Sequence, residues 1–330
     1  MNVTINAPDW ATHLLTDFDD MGRNPTPLED GGVRQWTIEL PDDAYFEYAF
    51  MDADGRVRAD PQRDARAANP WYAEVTKIEG PDYNPHPLAN LTEDPWKDHL
   101  IRERLPSDDV GQRRVLRFEQ PEASRGDPVL IVQDGTAYAR IARLLAVHQA
   151  LIDAGRCRPA HVLFVDPSAP AARREEYGFG EGFTAFMETV LMPAADTWFG
   201  DQGPRHLLGA SLGGLISTVL ATRNPGHIDG LAVQSPAYLG TPDERRFYGF
   251  DESWFLGWLE ANQQPLPWRV HHSIGRFDWL LDVNRQVADL WPTQVRDHRY
   301  VEANAGHNWT HWRNVLPAAL ETLLPAEGTT

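Results

Sequence analysis

The sequence predicts an α/β fold in which a mostly parallel central sheet is flanked by helices, with a small β-sandwich-like domain in front of it. Three observations predict this. The first third of the 330 residues reads as strands and turns, the stretch after about residue 112 alternates short apolar runs with helical spacing, and a proline-punctuated segment separates the two. Alternation of strand and helix is the pattern of a parallel sheet covered on both faces. The boundary is therefore placed near residue 110, giving domains 1–110 and 111–330.

In the first part, Val33 to Leu40 and Tyr45 to Met51 are rich in β-branched and aromatic residues, as strands are. Asp54-Gly55 reads as a tight hairpin turn, because the calcium-loop spacing that Asp52 and Asp54 faintly suggest lacks its closing glutamate. From Asp60 to Asp109 the chain is expected to be loop-rich, with Pro61, Pro70, Pro81, Pro85, Pro87 and Pro95. Beyond it, strands are expected at Val115–Phe118, Val129–Val132, His161–Val165, Leu207–Leu208, Gly230–Val233, Val270–Ile274 and Tyr300–Ala303. Helices are expected at Tyr138–Ala154, Phe183–Trp198 (interrupted at Pro193), Leu212–Arg223, Asp282–Leu290 and from Trp309 to about Leu324.

Composition narrows the functional classes. The chain is 42% hydrophobic and 24% charged, as a packed globular protein is. Its formal net charge is -18, and the first 110 residues carry 23 acidic against 10 basic side chains. Such a surface repels phosphate backbones, which argues against nucleic acid as a partner. No run approaches the roughly 20 apolar residues of a membrane span, and the N-terminus has no basic flank followed by an apolar run. A cytoplasmic location, no membrane and a small-molecule substrate are the expectations. Cys157 is the sole cysteine and reads as a loop residue without a role.

Gly209-Ala210-Ser211-Leu212-Gly213 matches G-x-S-x-G, a serine on a sharp turn between strand and helix, where neighbouring Cβ atoms would clash. The segment lacks the Lys-Ser/Thr ending of a phosphate loop. A serine hydroxyl at such a turn needs a neutral imidazole to take its proton. His307, in Ala305-Gly306-His307-Asn308-Trp309, stands where a strand ends and the last helix begins, with His311 as the second choice. The acid that orients the imidazole should follow the strand Val270–Ile274, which brings forward Asp278; Asp282 competes but reads better as a helix N-cap. The chain order Ser, acid, His is that of the α/β-hydrolase fold. The tetrahedral oxyanion of acyl transfer needs two backbone N–H donors, expected from Leu212 and from Thr136 in the loop Gln133-Asp134-Gly135-Thr136. Tyr138, Arg140, Trp279 and Trp309 are candidates for the substrate pocket, with Trp309 and Trp312 flanking His307.

As a set, Val129–Tyr138 (VLIVQDGTAY), His161–Asp166 followed by Arg173-Arg174-Glu175-Glu176, Gly209–Leu215 (GASLGGL), Gly275–Asp278 and Ala305–Trp312 (AGHNWTHW) resemble the esterase D family of α/β-hydrolases, in its enterochelin-esterase-like branch. The likeness spans residues 112–325. Trp36, Tyr45–Tyr48, Asp54–Arg56, Asp60-Pro61 and Asn69-Pro70-Trp71 resemble the type 48 carbohydrate-module β-sandwiches. The resemblance implies a serine carboxylic-ester hydrolase with Ser211, His307 and Asp278 as its triad, working through an acyl-enzyme on siderophore-type or other aromatic esters. It implies no metal and no organic cofactor, and the sequence has no His/Cys cluster of metal-ligand spacing. Two other readings keep the same scaffold: an acyltransferase that hands the acyl group to a sugar hydroxyl, and a non-catalytic binding protein. Every candidate triad residue is present, which counts against the second.

Overall fold

A computed structural model of the chain describes all residues except 20, 22–23, 29–33, 71–73, 243–251, 263, 327 and 329–330, so Val33 and Trp71 lie outside the described residues. By its internal packing the chain divides into two compact units. One comprises Pro87–Ser273, Asp282–Val301 and Val315–Thr330; the other comprises Met1–His86, Ile274–Leu281 and Glu302–Asn314.

The first of these is built on an eight-stranded sheet. From one edge the strands run Ile101–Ser107, Gly111–Phe118, His161–Val165, Val129–Gln133, Arg205–Ala210, Gly230–Gln234, Leu266–Gly275 and Val295–Ala303. In chain order that is first, second, fourth, third, then fifth to eighth. Val129–Gln133 pairs in parallel with both His161–Val165 and Arg205–Ala210, and the parallel run continues to Leu266–Gly275. The first two strands pair antiparallel. This is the α/β-hydrolase fold, with a mixed sheet flanked by helices. The four central strands are buried along their whole length, which is why they read as apolar runs without alternation. Helix Leu212–Arg223 is likewise buried around most of its circumference, so its sequence carries little amphipathic pattern.

Local departures from the expected elements have physical causes. The segment read as loops up to Asp109 holds the strands Thr76–Glu79 and Ile101–Ser107. The latter lies at the sheet edge, where Pro106 costs no ladder bond and charged side chains suit an exposed face. The helix expected over 138–154 is two helices, Gly135–Arg140 and Leu144–Asp153, broken by Arg143 at φ 53°. Ahead of Pro193, residues Met187–Leu191 form a π turn, which relieves the clash of the proline ring with the carbonyl four residues earlier. Helix Trp254–Ala261 was not expected; Ser253 caps it, its hydroxyl accepting the Leu256 N–H. Cys157 is buried, and burial pushes its thiol up to about 12, so it stays protonated.

The second unit carries the N-terminal strands. Asn2–Asn6 pairs antiparallel with Gln35–Glu39, and its alternating burial sends Val3 and Ile5 into the core. A second sheet pairs Ala11–Thr16 with Tyr45–Asp52, which also pairs with Val57–Arg58 and Thr76–Glu79. The Asp54-Gly55 turn forms as expected: Gly55 adopts φ 77°, and the Asp52 carboxylate accepts the N–H groups of Asp54 and Arg56. Val3, Ile5, Leu14, Phe46, Tyr48, Phe50 and Ile78 form the core with Phe277, which arrives from far along the chain.

Four buried imidazoles give the fold a pH signature. Burial pushes His206 and His272 down to about 3, and His148 and His311 to about 4. The unfolded chain protonates them near 6.5. Between those limits the unfolded form binds more protons, so their contribution is complete above about pH 6.5 and is lost as pH falls. Asp17 and Glu47, raised by burial, act in the opposite sense. The clean measurement is therefore a difference: between pH 5 and 6, urea melts of His206→Leu should show a stability slope about 1.4 kcal/mol per pH unit shallower than wild type. Equal slopes would mean that His206 is protonated in the fold. Among the described residues no helix is long and apolar enough to cross a membrane.

Candidate active site

The serine turn is formed at the end of strand Arg205–Ala210. Ser211 takes φ 56° and ψ -124°, a conformation that a residue with a Cβ adopts only when its surroundings hold it there. They do so through the backbone. Its N–H donates to Gln234 O at 2.9 Å, and its carbonyl accepts the N–H groups of Ala237, Gly214 and Leu215 at 3.0–3.1 Å. A Cβ on Gly209 would lie 2.3 Å from the Gly213 carbonyl oxygen, and one on Gly214 would lie 2.9 Å from Pro236 Cβ. Gly209→Ala should therefore lower stability by about 1–3 kcal/mol or more. It should also distort the serine turn, seen as a reduced melting temperature together with loss of serine labelling; a stable, fully labelled variant would contradict this packing. Ser211 is half-buried, and Leu212 directly after it opens the helix, where an N–H has no partner within the helix.

The loop after strand Val129–Gln133 is held by charges. Arg173 grips both Asp134 carboxylate oxygens, each at 2.7 Å, and Asp134, at φ 52°, donates its N–H to the Tyr177 hydroxyl. Gly135 is required because its Cβ would sit 2.5 Å from Phe164. Thr136 departs from expectation. Its N–H donates to Asp166 Oδ1 at 2.9 Å and its hydroxyl to Asp166 Oδ2, so the amide expected at the oxyanion is committed to a carboxylate. Tyr138 departs too: it is completely buried, and its hydroxyl donates to Gln234, the residue whose carbonyl holds Ser211. It supports the serine turn from beneath and does not line an open pocket. Arg140 is exposed.

The acid and the imidazole meet in the other unit. Asp278 follows strand Leu266–Gly275 in a turn closed by its own N–H to Gly275 O at 3.1 Å. Its Oδ1 accepts the Leu280 N–H at 3.0 Å, and its Oδ2 lies 2.8 Å from His307 Nδ1. The Asp278 side chain is fully buried and the His307 side chain 8% exposed. A carboxylate on Nδ1 keeps that nitrogen protonated and leaves Nε2 as the acceptor, the tautomer a general base needs. Gly275 permits the approach of the two turns, since a Cβ there would lie 2.2 Å from Ala305 O. Asp282 is exposed in the first turn of helix Leu281–Leu290, inside the helix and not at its cap. His311 is shut in and held neutral by burial. Trp279 lies with its ring 6.4 Å from that of His307. Trp309 and Trp312 are buried, packed edge to face at 5.0 Å, and Trp312 meets the His307 ring at 5.1 Å. Trp309 thus anchors the last helix, with little surface left for a ligand. Among the described residues, no three His, Cys, Asp or Glu side chains are grouped to hold a metal ion.

Residues 107–323 match the Esterase family. The chain belongs to that family. The match covers the serine turn, the Asp278 turn and the His307 turn, and the enzyme is a carboxylic ester hydrolase. The esterase is 25% identical over 209 residues to the uncharacterized protein YjcH of Bacillus subtilis (strain 168), covering 59% of this chain and 84% of that protein. In fold it is similar to the enterobactin esterase of Shigella flexneri solved with 2,3-dihydroxy-N-benzoyl-serine, with TM-score 0.72 and 18% identity over 98% of this chain and 92% of that one. It is also similar to the ferric enterobactin esterase of Salmonella typhimurium, with TM-score 0.71 and 17% identity over the same shares. An IroE-like serine hydrolase from Shewanella oneidensis aligns with TM-score 0.52 and 15% identity, over 67% of this chain and 79% of that one.

Three residues around these turns, Asp166, Arg173 and Asp17, were not assigned a part from the sequence. Asp166 and Arg173 lie in recognisable motifs, yet their pairing with Thr136 and Asp134 depends on neighbouring strands. Asp17 lies 291 positions from Asn308, whose side-chain amide it accepts, and nothing in its local pattern marks it.

Proposed function

We propose that the enzyme is a serine esterase acting through an acyl-enzyme, with Ser211 as nucleophile, His307 as base and Asp278 as the acid that orients it. The observation that carries this reading is the 2.8 Å approach of Asp278 Oδ2 to His307 Nδ1 in a chain whose G-x-S-x-G serine is held on a strained strand-to-helix turn. Ser211 Oγ attacks the ester carbonyl carbon as its proton passes to His307 Nε2. The carbonyl oxygen becomes an oxyanion, for which the Leu212 N–H is one donor and the Asp134–Thr136 loop supplies the other; the Thr136 N–H serves only if Asp166 releases it. Collapse of the tetrahedral species breaks the bond to the alcohol, which leaves with the proton from His307. Water, deprotonated by the same imidazole, then attacks the acyl-serine, frees the acid and restores the serine.

The substrate class we infer is an aromatic ester of siderophore type. Trp279, beside His307, is suited to an aromatic acyl group, and the enterobactin esterases of similar fold act on such a compound. The N-terminal strands we read as a sandwich of the carbohydrate-module 48 kind that serves a structural part.

A fluorophosphonate probe followed by intact mass tests the mechanism. One adduct, mapped to Ser211 and accompanied by hydrolysis of p-nitrophenyl butyrate, is expected. A folded protein that neither labels nor hydrolyses would end the serine-esterase reading. Comparison of a benzoyl-serine ester with the butyrate tests the acyl preference, and equal kcat/KM for the two would remove the aromatic assignment.

A further inference from the structure

We propose that Asp17, from the N-terminal strands, is a positioning residue that holds the turn carrying His307. The inference rests on the serine-esterase reading for its kinetic consequence, and on the packing of a single compact unit for its geometry.

Asp17 opens a short 3-10 turn after strand Ala11–Thr16 and is 1% exposed. Its Oδ2 accepts the Glu47 N–H at 2.7 Å. Both carboxylate oxygens accept Asn308 Nδ2, each at 3.3 Å. Its carboxyl lies against Gly306 so closely that a Cβ there would come within 2.2 Å of Asp17 Cγ. Asp17 thus touches both chain neighbours of His307. Asn308 passes the constraint on, because its Oδ1 accepts the His311 N–H at 2.9 Å in the first turn of the last helix. With Gly306 and Asn308 held, the His307 ring has little freedom but to meet Asp278 Oδ2.

The acid turn is seated on the same foundation. Phe277, beside Asp278, packs against Phe18 at 5.2 Å and Phe46 at 6.0 Å, and Phe18 follows Asp17 in the chain. Tyr45 adds two further ties, its N–H donating to Asn304 O at 2.9 Å and its hydroxyl pairing with Thr310 at 3.1 Å.

Keeping Asp17 here is unfavourable for stability alone. Its partners among the described residues are N–H groups and not a cation, and Glu47 and Asp278 are carboxylates in the same surroundings. Burial, then the Glu47 charge, raises its pKa well above the usual carboxylate range. A buried acid retained at such a cost fits a task at the histidine turn.

Asp17→Ala and Asp17→Asn, each checked for folding by circular dichroism, test this with two readouts. One is the low-field N–H proton resonance of the His307–Asp278 pair, identified by its loss in His307→Ala and recorded without substrate. The other is ester hydrolysis. In Asp17→Ala the resonance should broaden or vanish and kcat should fall about 10²-fold, with KM nearly unchanged. Asp17→Asn, which keeps one acceptor oxygen, should fall about 10-fold. Gly306→Ala, which forces a Cβ into the space of Asp17, should disturb the resonance as well. A folded Asp17→Asn or Asp17→Ala protein with wild-type resonance and kcat overturns the proposal. If Asp17→Ala does not fold, the near-isosteric Asp17→Asn decides. A wild-type protein that shows the resonance yet hydrolyses no ester and takes no fluorophosphonate would defeat the esterase mechanism instead, and the resonance of the variants would still judge Asp17.

Discussion

Ser211→Ala is expected to lower kcat for p-nitrophenyl butyrate by about 10⁴- to 10⁶-fold, to abolish fluorophosphonate labelling, and to leave the melting temperature unchanged or higher. The size follows from what the substitution removes. Without Oγ no acyl-enzyme forms, and the remaining rate is that of water attacking a bound ester beside the oxyanion donors. The stability expectation follows from the turn: Ser211 bonds to its neighbours through its backbone N–H and carbonyl, and alanine retains both. A change of less than tenfold in the purified variant would show that another residue attacks the ester.

Asp278→Asn should cost about 10³- to 10⁴-fold in kcat with the fold intact. An amide at this position would present Nδ2–H to His307 Nδ1, forcing the imidazole into the tautomer that is protonated on Nε2 and cannot accept the serine proton. The Leu280 N–H would still find Oδ1, so the turn should survive. Asp282→Asn provides the contrast. Asp282 is exposed in the first turn of its helix, so its replacement should change kcat less than about 2-fold. Rates measured side by side for the two variants, at matched protein concentration and pH, decide between them, and the opposite order would transfer the acid role to Asp282.

Much of the candidate site could be read from local sequence because its parts obey local rules. The serine turn needs glycines at 209, 213 and 214 for clearance, and the first and second of these are the glycines of the motif. Asp278 follows strand Leu266–Gly275, whose buried end shows where its turn begins, and His307 follows the edge strand Val295–Ala303 just ahead of the last helix. What escaped depends on surroundings. Tyr138 reads as an aromatic near a loop, but whether such a ring is sealed in or left open is decided by the strands packed around it, and here Gln234 takes its hydroxyl. Thr136 occupies the expected loop, yet the carboxylate that claims its N–H comes from the end of a neighbouring strand. Ile101–Ser107 reads as loop because proline and charge oppose strands in general, though not at a sheet edge.

The sequence by itself determined the hydrolase fold class, the strand-to-helix turn that holds Ser211, and the order in which serine, acid and histidine follow one another. Each is a property of residues near one another in the chain, where steric demands and hydrophobic period act directly. Tertiary structure alone decided which acid faces His307, which N–H groups of the loop after Gln133 are already engaged, and that Asp17 packs against the histidine turn. Those outcomes rest on hydrogen bonds and van der Waals clearances between segments up to 291 positions apart. No local pattern encodes such a contact, because it exists only once folding has brought both segments to the same place.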